Sequence, residues 1–223
     1  MVTMGSVVLA SCGNNNSKQA EDVTATKPSE AAPVATETIV KDQNILFFGT
    51  SLTAGYGLEQ NEAYPALLQQ RIDSLDLPYK TINGGLSGET SAAGKSRIDW
   101  LLKQPVSIFV LELGANDGLR GVPVKETRTN LQAIIDKVRD KYPQVKMVLT
   151  GMEVPPNMGD KYATDFRNMF KDLAAKNEMV FVPFLLDGVA GIPKLNQGDG
   201  IHPTAEGQRI LANNVWDKLK DLL

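Results

Sequence analysis

The chain contains a single histidine, His202, which follows Asp199 by three positions close to the C-terminus. Histidine is the side chain best suited to moving protons near neutral pH, so any histidine-dependent chemistry in this protein must use His202. Asp199 is close enough in sequence to orient the imidazole ring and to stabilise its charged form. A serine hydroxyl beside such a base becomes an effective nucleophile, whereas an unassisted serine is a poor one.

Ser51 is the candidate for that nucleophile. It lies in a turn of small residues, 49–55, that directly follows the apolar run 45–48. This pattern indicates a strand that ends in a turn and exposes a hydroxyl group. The order of the three candidate residues along the chain is then serine, aspartate and histidine.

Two further loops could supply the hydrogen-bond donors that a tetrahedral intermediate needs. Residues 83–90 include Gly88, whose backbone N–H no side chain would shield, and residues 113–118 include the amide side chain of Asn116. Together with the N–H of Ser51, they form a candidate oxyanion hole. Each is an ordinary turn residue when taken alone, so the prediction depends on their combination with Ser51 and His202.

Short apolar runs alternate with amphipathic stretches from residue 43 onwards, and this alternation predicts an α/β fold. The predicted strands are 45–48, 79–83, 108–113, 146–150 and 179–182, and the predicted helices are 63–75, 89–102, 126–141, 160–176 and 204–222. We expect one domain of three α/β/α layers, with a five-stranded parallel sheet between two layers of helices. Parallel strands direct their carboxyl ends to one edge, so the loops of Ser51, Gly88 and Asn116 should converge there, alongside the 199–202 loop.

Composition limits the other classes of function. The 223 residues are 42% hydrophobic and 22% charged, which is ordinary for a globular protein with one sizeable core. The net charge of -3, without a dense basic stripe, provides no electrostatic case for binding nucleic acid. One cysteine and one histidine exclude an internal disulfide, a cysteine-rich zinc site and a multi-histidine metal site. We therefore expect no metal and no cofactor.

The first 42 residues differ from the rest of the chain. Residues 7–12 place small residues before Cys12 at the end of a short apolar stretch, and this resembles a bacterial lipobox, in which cleavage leaves a lipidated cysteine. The apolar stretch is too short to span a bilayer, and no lysine or arginine precedes it. Residues 13–42 are polar and poor in large apolar side chains, which predicts a disordered tether.

These features predict three parts: a signal remnant at 1–12, a tether at 13–42 and a folded domain at 43–223. A lipidated Cys12 would anchor the protein to a membrane, in the periplasm or at the outer membrane of a bacterium.

Four segments of the domain resemble the four conserved blocks of the GDSL/SGNH hydrolases: FGTSLTAGY (48–56), SGETS (87–91), ELGANDGLRG (112–121) and DGIHP (199–203). The similarity extends from residue 45 to the C-terminus and is greatest to the bacterial thioesterase I/protease I/lysophospholipase L1 group, also called arylesterases. The resemblance implies a flavodoxin-like hydrolase fold. It also implies a Ser51, Asp199 and His202 triad, with an oxyanion hole formed by Ser51, Gly88 and Asn116.

The implied reaction is hydrolysis of small-molecule acyl esters, such as aryl esters and lysophospholipids, or of acyl thioesters, through a covalent acyl-enzyme. One position departs from the family pattern, because Thr50 stands where an aspartate usually precedes the nucleophile. That aspartate is not a triad member, so activity should survive. The Thr50 hydroxyl could replace one of its hydrogen bonds but brings no charge, and charge-assisted bonds are about twice as strong. If the usual aspartate chiefly steadies the nucleophile turn, Thr50→Asp should be tolerated, and this is the outcome we expect. If the surroundings have adapted to a neutral side chain, the new carboxylate would cost stability and rate.

Two alternatives remain open at this point. Carbohydrate O-acetyl esterases carry related blocks, although the apolar loops at 118–123, 154–158 and 184–186 favour acyl chains. A non-catalytic, lipid-anchored binding module is the alternative of another class, since fold alone does not decide function. A binding module has no reason to combine a nucleophile, a base, an acid and two oxyanion donors. Thr53, where the α/β-hydrolase nucleophile elbow would have glycine, argues against that different fold.

Overall fold

Five parallel strands form one sheet in the computed structural model, which describes residues 43–223. The strands are β1 (Gln43–Gly49), β2 (Tyr79–Asn83), β3 (Ile108–Glu112), β4 (Lys146–Thr150) and β5 (Val180–Val182). Their order across the sheet is β2-β1-β3-β4-β5, and each pairing is parallel. Parallel neighbours need crossover connections, and helices provide them here.

The described residues form seven α-helices: α1 (Ser51–Ala54), α2 (Tyr64–Ser74), α3 (Ser91–Leu101), α4 (Ala115–Leu119), α5 (Val124–Lys141), α6 (Asp160–Lys176) and α7 (Ala205–Leu219). Short 3-10 helices lie at Gln60–Glu62, Pro156–Met158, Pro193–Leu195 and Lys220–Leu222. One helical layer contains α3, α5 and α6, which contact one another in sequence order, and the other contains the contacting pair α2 and α7. The predicted three-layer α/β/α fold is therefore confirmed.

The core lies around the inner strands β1 and β3. Every residue of β3 is buried, and so are the last five residues of β1. Strands covered by helices on both faces need apolar residues at successive positions, which explains the continuous apolar runs. The chain crosses from β1 to the outer strand β2 and then returns to β3 on the other side of β1. Such a reversal opens a crevice at the carboxyl ends of the strands, where α/β proteins bind their ligands.

Most predicted elements have bounds within one or two residues of the observed ones. Two small helices, α1 and α4, were not predicted because four or five residues show no helical periodicity. Helix α3 begins at Ser91 rather than residue 89, because the Thr90 side chain caps it by accepting the N–H of Ala93 at 3.3 Å. The last helix ends at Leu219 and continues as a 3-10 turn.

The predicted signal remnant, the tether and Cys12 lie outside the described residues. Among the helices within 43–223, none has the length and apolar character required to cross a membrane.

Candidate active site

Ser51 occupies the turn that follows β1 at the carboxyl edge of the sheet. Thr50 caps α1 from an extended conformation, and Ser51 is the first residue of that helix. Its N–H therefore has no acceptor within the helix. Gly55, at φ 73°, ends α1 after one turn. The serine is 8% exposed, so its hydroxyl is held firmly yet remains accessible from the crevice.

His202 connects Ser51 to Asp199. Its Nε2 lies 2.9 Å from Ser51 Oγ, and its Nδ1 lies 2.6 Å from Asp199 Oδ2. The second carboxylate oxygen of Asp199 accepts the backbone N–H groups of Ile201 and His202, both at 3.0 Å. The hydrogen bond from the His202 side chain, followed by those two backbone bonds, lowers the pKa of Asp199 to about 2. The ionised carboxylate accepts a hydrogen bond from the Nδ1–H group, which leaves the lone pair of Nε2 facing the serine hydroxyl.

Two residues that were not predicted from the sequence, Gln197 and Tyr56, hold the His202 loop against the segment that follows α1. The Gln197 side chain donates to the carbonyls of Tyr56 at 2.7 Å and Pro203 at 2.9 Å, and its backbone N–H donates to the His202 carbonyl at 2.7 Å. The Tyr56 ring lies 4.6 Å from the imidazole, centroid to centroid. These contacts fix the histidine relative to the serine, although the two are far apart in the sequence. Tyr56 lies in the first block of the resemblance, whereas nothing in the sequence distinguishes Gln197.

Gly88 and Asn116 lie on loops that hydrogen bonds join to each other and to the serine turn. Gly88, at φ 79°, occupies a tight turn closed by the bond from Glu89 N–H to Leu86 O at 3.1 Å. A side chain at Gly88 would meet nothing within 4 Å, so the space above it is open. Asn116 Nδ2 donates to the Glu89 carbonyl at 3.1 Å, which leaves its second amide N–H for another acceptor. Leu86 N–H in turn donates to the carbonyl of Gly49 at 2.8 Å.

A partly buried ion pair supports the Gly88 loop. Glu89 is 4% exposed and accepts two hydrogen bonds from Arg97, at 2.7 Å and 2.6 Å. The same guanidinium donates to Gly84 O at 2.8 Å and lies over the Phe48 ring at 4.7 Å. Such a bidentate pair fixes orientation as well as distance, so it holds the loop against α3 and the sheet.

Asp117 anchors the Asn116 loop in a similar way. Its buried carboxylate accepts the backbone N–H of Ser91 at 2.8 Å and the Ser91 hydroxyl at 2.5 Å. The start of α3 and the loop after β3 are therefore tied together. All of the predicted site residues lie at one edge of the sheet, on loops linked by these bonds. Within residues 43–223, no group of three or more His, Cys, Asp or Glu side chains is placed to share a metal ion.

Glu112 is the fourth acidic residue at this edge, and no role for it was predicted from the sequence. It is fully buried at the end of β3 and accepts hydrogen bonds from Thr50 and Thr53, on either side of the serine. Burial raises the pKa of Glu112 to about 7, and the bonds from these threonines oppose the increase. One signal could have found it, since it is the only charged residue of an otherwise apolar strand, IFVLE.

Comparison with known proteins places the chain among acyl hydrolases. Residues 47–210, which include every candidate site residue, match the GDSL-like lipase/acylhydrolase family model. The chain is similar to esterase TesA from Pseudomonas aeruginosa, with 38% identity over 182 residues that cover 81% of this chain and 90% of the relative. It is also similar to thioesterase 1/protease 1/lysophospholipase L1 from Escherichia coli K12, with 34% identity over 180 residues, or 80% and 84% of the two chains.

A solved structure of an esterase is also similar to this chain. The psychrotrophic esterase EstA from Pseudoalteromonas, inhibited by monoethylphosphonate, superposes with a TM-score of 0.76 at 35% identity, covering 81% of this chain and 98% of that one. The family model matches well over half of the chain, and the relatives are matched along most of their length. The chain therefore belongs to the GDSL-like lipase/acylhydrolase family and is a carboxylic ester hydrolase.

Proposed function

We propose that the protein hydrolyses acyl esters and thioesters with Ser51 as nucleophile, His202 as general base and Asp199 as the residue that orients the imidazole. The observation that carries this proposal is the pair of hydrogen bonds running from Asp199 through the ring to Ser51, at 2.6 Å and 2.9 Å. A carboxylate that stays ionised and a ring whose free nitrogen faces a hydroxyl are the requirements for activating a serine.

The reaction proceeds in two halves. His202 Nε2 accepts the serine proton as Ser51 Oγ attacks the acyl carbonyl, and the imidazolium then protonates the departing alcohol or thiol. A water molecule repeats the sequence on the acyl-enzyme and releases the acid. The N–H groups of Ser51 and Gly88 and the free amide N–H of Asn116 stabilise the oxyanion in both halves. Removal of one such donor costs about 2.7 to 4 kcal/mol of transition-state stabilisation.

The surface around the crevice favours an apolar acyl or aryl group. Six large hydrophobic residues within 43–223 are exposed, and four of them belong to the segments that carry the site: Tyr56, Leu86, Leu119 and Ile201. Tyr56 contacts the imidazole, and Ile201 precedes it in the chain. Burial of an acyl chain against these apolar side chains is more favourable than burial of sugar hydroxyls against them. The names of relatives, an esterase and a thioesterase/lysophospholipase, agree with this class of substrate.

A fluorophosphonate probe tests the nucleophile. We expect labelling of the wild type at Ser51, loss of labelling and turnover in Ser51→Ala, and normal behaviour of Ser96→Ala, which removes an exposed hydroxyl on α3. Labelling at another serine, or turnover in Ser51→Ala, would disprove the assignment. Absence of any labelling or turnover in the wild type would favour the binding module.

A substrate panel separates the two enzyme alternatives. We expect p-nitrophenyl esters of increasing chain length, an acyl-CoA and a lysophospholipid to be hydrolysed faster than acetylated xylan. The reverse order would assign the protein to the carbohydrate O-acetyl esterases.

We also propose that Cys12 is lipidated and that residues 13–42 tether the domain to a membrane. The support is the lipobox-like sequence at 7–12 and the polar composition that follows it. With a complete signal supplied in a Gram-negative host, the wild type should incorporate labelled palmitate and Cys12→Ala should not. A wild type that remains unlabelled contradicts the anchor.

A further inference from the structure

The carboxyl group of Glu112 lies in an apolar, fully buried environment, which is unfavourable for a charged group. Its side chain has no exposure to solvent and ends a strand whose other residues are isoleucine, phenylalanine, valine and leucine. None of the salt bridges formed within residues 43–223 includes it. Removing a carboxylate from water without a cationic partner is costly, so the surrounding hydrogen bonds must compensate for the lost hydration.

Those hydrogen bonds come from the residues that flank Ser51. Thr50 donates its N–H to Glu112 Oε2 at 2.8 Å, and its hydroxyl lies 3.0 Å from both carboxylate oxygens. Thr53 donates its hydroxyl to Oε2 at 2.8 Å. The Tyr64 hydroxyl lies 2.9 Å from Thr53 Oγ1 and donates to it when Thr53 donates to Glu112. The donors all point towards the carboxylate, which matches the acceptor-only character of its ionised form.

The backbone of the serine turn lies directly against this carboxylate. Gly49 pairs with Glu112 across the sheet, and a Cβ at Gly49 would lie 2.5 Å from Oε2. Only a residue without a side chain fits there. The Thr50 hydroxyl also accepts the N–H of Leu52 at 3.4 Å, so the carboxylate acts on the residues immediately before and after Ser51.

We propose that Glu112 is a positioning residue for the reaction, which holds the Ser51 turn from the core side of the sheet and thereby directs the serine hydroxyl at His202. This inference rests on the proposed role of Ser51 as nucleophile. Glu112 contacts neither Ser51 Oγ nor His202 and acts through Thr50 and Thr53. Displacement of a reacting group by about 1 Å costs on the order of 100-fold in rate, so small movements of the turn have a large effect.

The same arrangement makes the turn sensitive to pH. A protonated Glu112 would present a donor where its neighbours are also donors, and its pKa is raised to about 7 by burial. The ionisable group that faces it from α2 is Tyr64, and α7 contributes the neutral Gln208, which accepts the Tyr64 N–H at 2.9 Å. Ionisation of Glu112 therefore contributes to the acidic part of the pH profile of kcat/KM.

Glu112→Gln separates charge from shape. Its amide oxygen can occupy the Oε2 position and accept from Thr50 N–H and Thr53, while its NH2 group requires the Thr50 hydroxyl to become an acceptor. We expect kcat to fall about tenfold with KM within about twofold, because the loss is in positioning rather than in binding. The kcat/KM profile between pH 5 and 9 should lose one acidic ionisation, that of Glu112.

Thr50→Val removes the hydroxyl that bonds to Glu112, and Thr150→Val is its matched control. Thr150 is also fully buried at the end of a strand, and its hydroxyl donates to Leu111 O at 3.3 Å, away from the serine turn. At a temperature well below both thermal midpoints, we expect Thr50→Val to lower kcat and the rate of fluorophosphonate labelling about tenfold, and Thr150→Val to leave both within about twofold.

Wild-type kcat in Glu112→Gln, an unchanged pH profile in that variant, or equal effects of the two threonine variants would overturn the positioning role. Labelling and turnover of the wild type distinguish failure of the Glu112 role from failure of the proposed function. If the wild type is labelled at Ser51 and turns over substrate while Glu112→Gln behaves like it, only the role of Glu112 fails. If the wild type is not labelled at Ser51, the proposed nucleophile fails first.

Discussion

Two carboxyl groups on opposite sides of Ser51 have opposite properties. Asp199 lies in a surface loop with its side chain 41% exposed, and hydrogen bonds from His202 and the backbone lower its pKa to about 2. Glu112 has no exposure, and burial raises its pKa to about 7. The first contacts a ring that becomes charged during the proposed reaction. The second contacts hydroxyl and N–H groups that stay neutral.

This difference shows how burial selects the task of a carboxylate. An exposed carboxylate retains its hydration and its charge, so it can stabilise an imidazolium at neutral pH. A buried carboxylate loses that hydration and depends on its hydrogen-bond donors, which are thereby fixed in place. We interpret Asp199 as acting by charge and Glu112 as acting by geometry. Substitutions of the two carboxyl groups and of Thr50 should therefore have different effects.

The largest effect should come from Asp199→Asn. An amide can present its NH2 group to the imidazole and reverse the tautomer, so that Nε2 carries the proton and no longer accepts one from Ser51. We expect kcat to fall about 10⁴-fold. The thermal midpoint should change little, because the residue is exposed. Asp217→Asn, another exposed aspartate, is the control, and a loss in Asp199→Asn of less than tenfold would contradict the charge-based role.

Thr50→Asp should have an intermediate effect. From the sequence alone we expected it to be tolerated. The structure leads us to expect a cost instead, because the Thr50 hydroxyl lies 3.0 Å from both oxygens of Glu112. Two carboxyl groups at that distance cannot both ionise without a large cost. We expect a lower kcat and a lower thermal midpoint at pH 8, with partial recovery of the midpoint at pH 5, where the pair shares a proton.

Calorimetry and kinetics at the two pH values provide the measurement for Thr50→Asp. The double variant Thr50→Asp, Glu112→Gln should regain stability at pH 8, because it again has one carboxyl group. If the single variant matches the wild type in kcat and thermal midpoint at pH 8, the carboxylate under the serine turn is not ionised as we infer.

The smallest effect is on stability as a function of pH. The pKa of Glu112 is raised above its ordinary value of 4.5, so the folded protein binds more protons than the unfolded chain between pH 4.5 and about 7. Its contribution to stability is therefore present below that window and is lost as the pH rises through it. Asp199 has the opposite sign, since its lowered pKa makes a contribution that is lost as the pH falls from 3.8 towards 2.

We therefore expect the thermal midpoint of Glu112→Gln, minus that of the wild type, to increase by a few degrees between pH 5 and pH 8. For Asp199→Asn, the corresponding difference should be flat over that range and should change only below pH 4. Differential scanning calorimetry in matched buffers measures both. A flat difference for Glu112→Gln would show that the carboxyl group does not titrate within this window.

Most of the fold could be predicted from the sequence. The apolar runs of β1, β3 and β4 and the helical spacing of the apolar residues in α6 are local patterns, and each appears in the structure close to its predicted position. The helices α1 and α4 could not be predicted, because capping by Thr50 and the positive φ of Gly114 create them rather than any periodicity. These short helices carry Ser51 and Asn116, so the elements that sequence patterns miss are those that present the site.

By itself, the sequence determined which residue types were available for chemistry: one histidine, an aspartate three positions before it, and small-residue turns after apolar strands. Those features depend on composition and local spacing, which a single chain displays directly. Only the tertiary structure decided that Gln197 and Tyr56 hold the histidine and that Glu112 lies under the serine turn. The reason is physical, because burial and hydrogen bonding between residues about 60 or 140 positions apart arise only when the sheet brings its strand ends together.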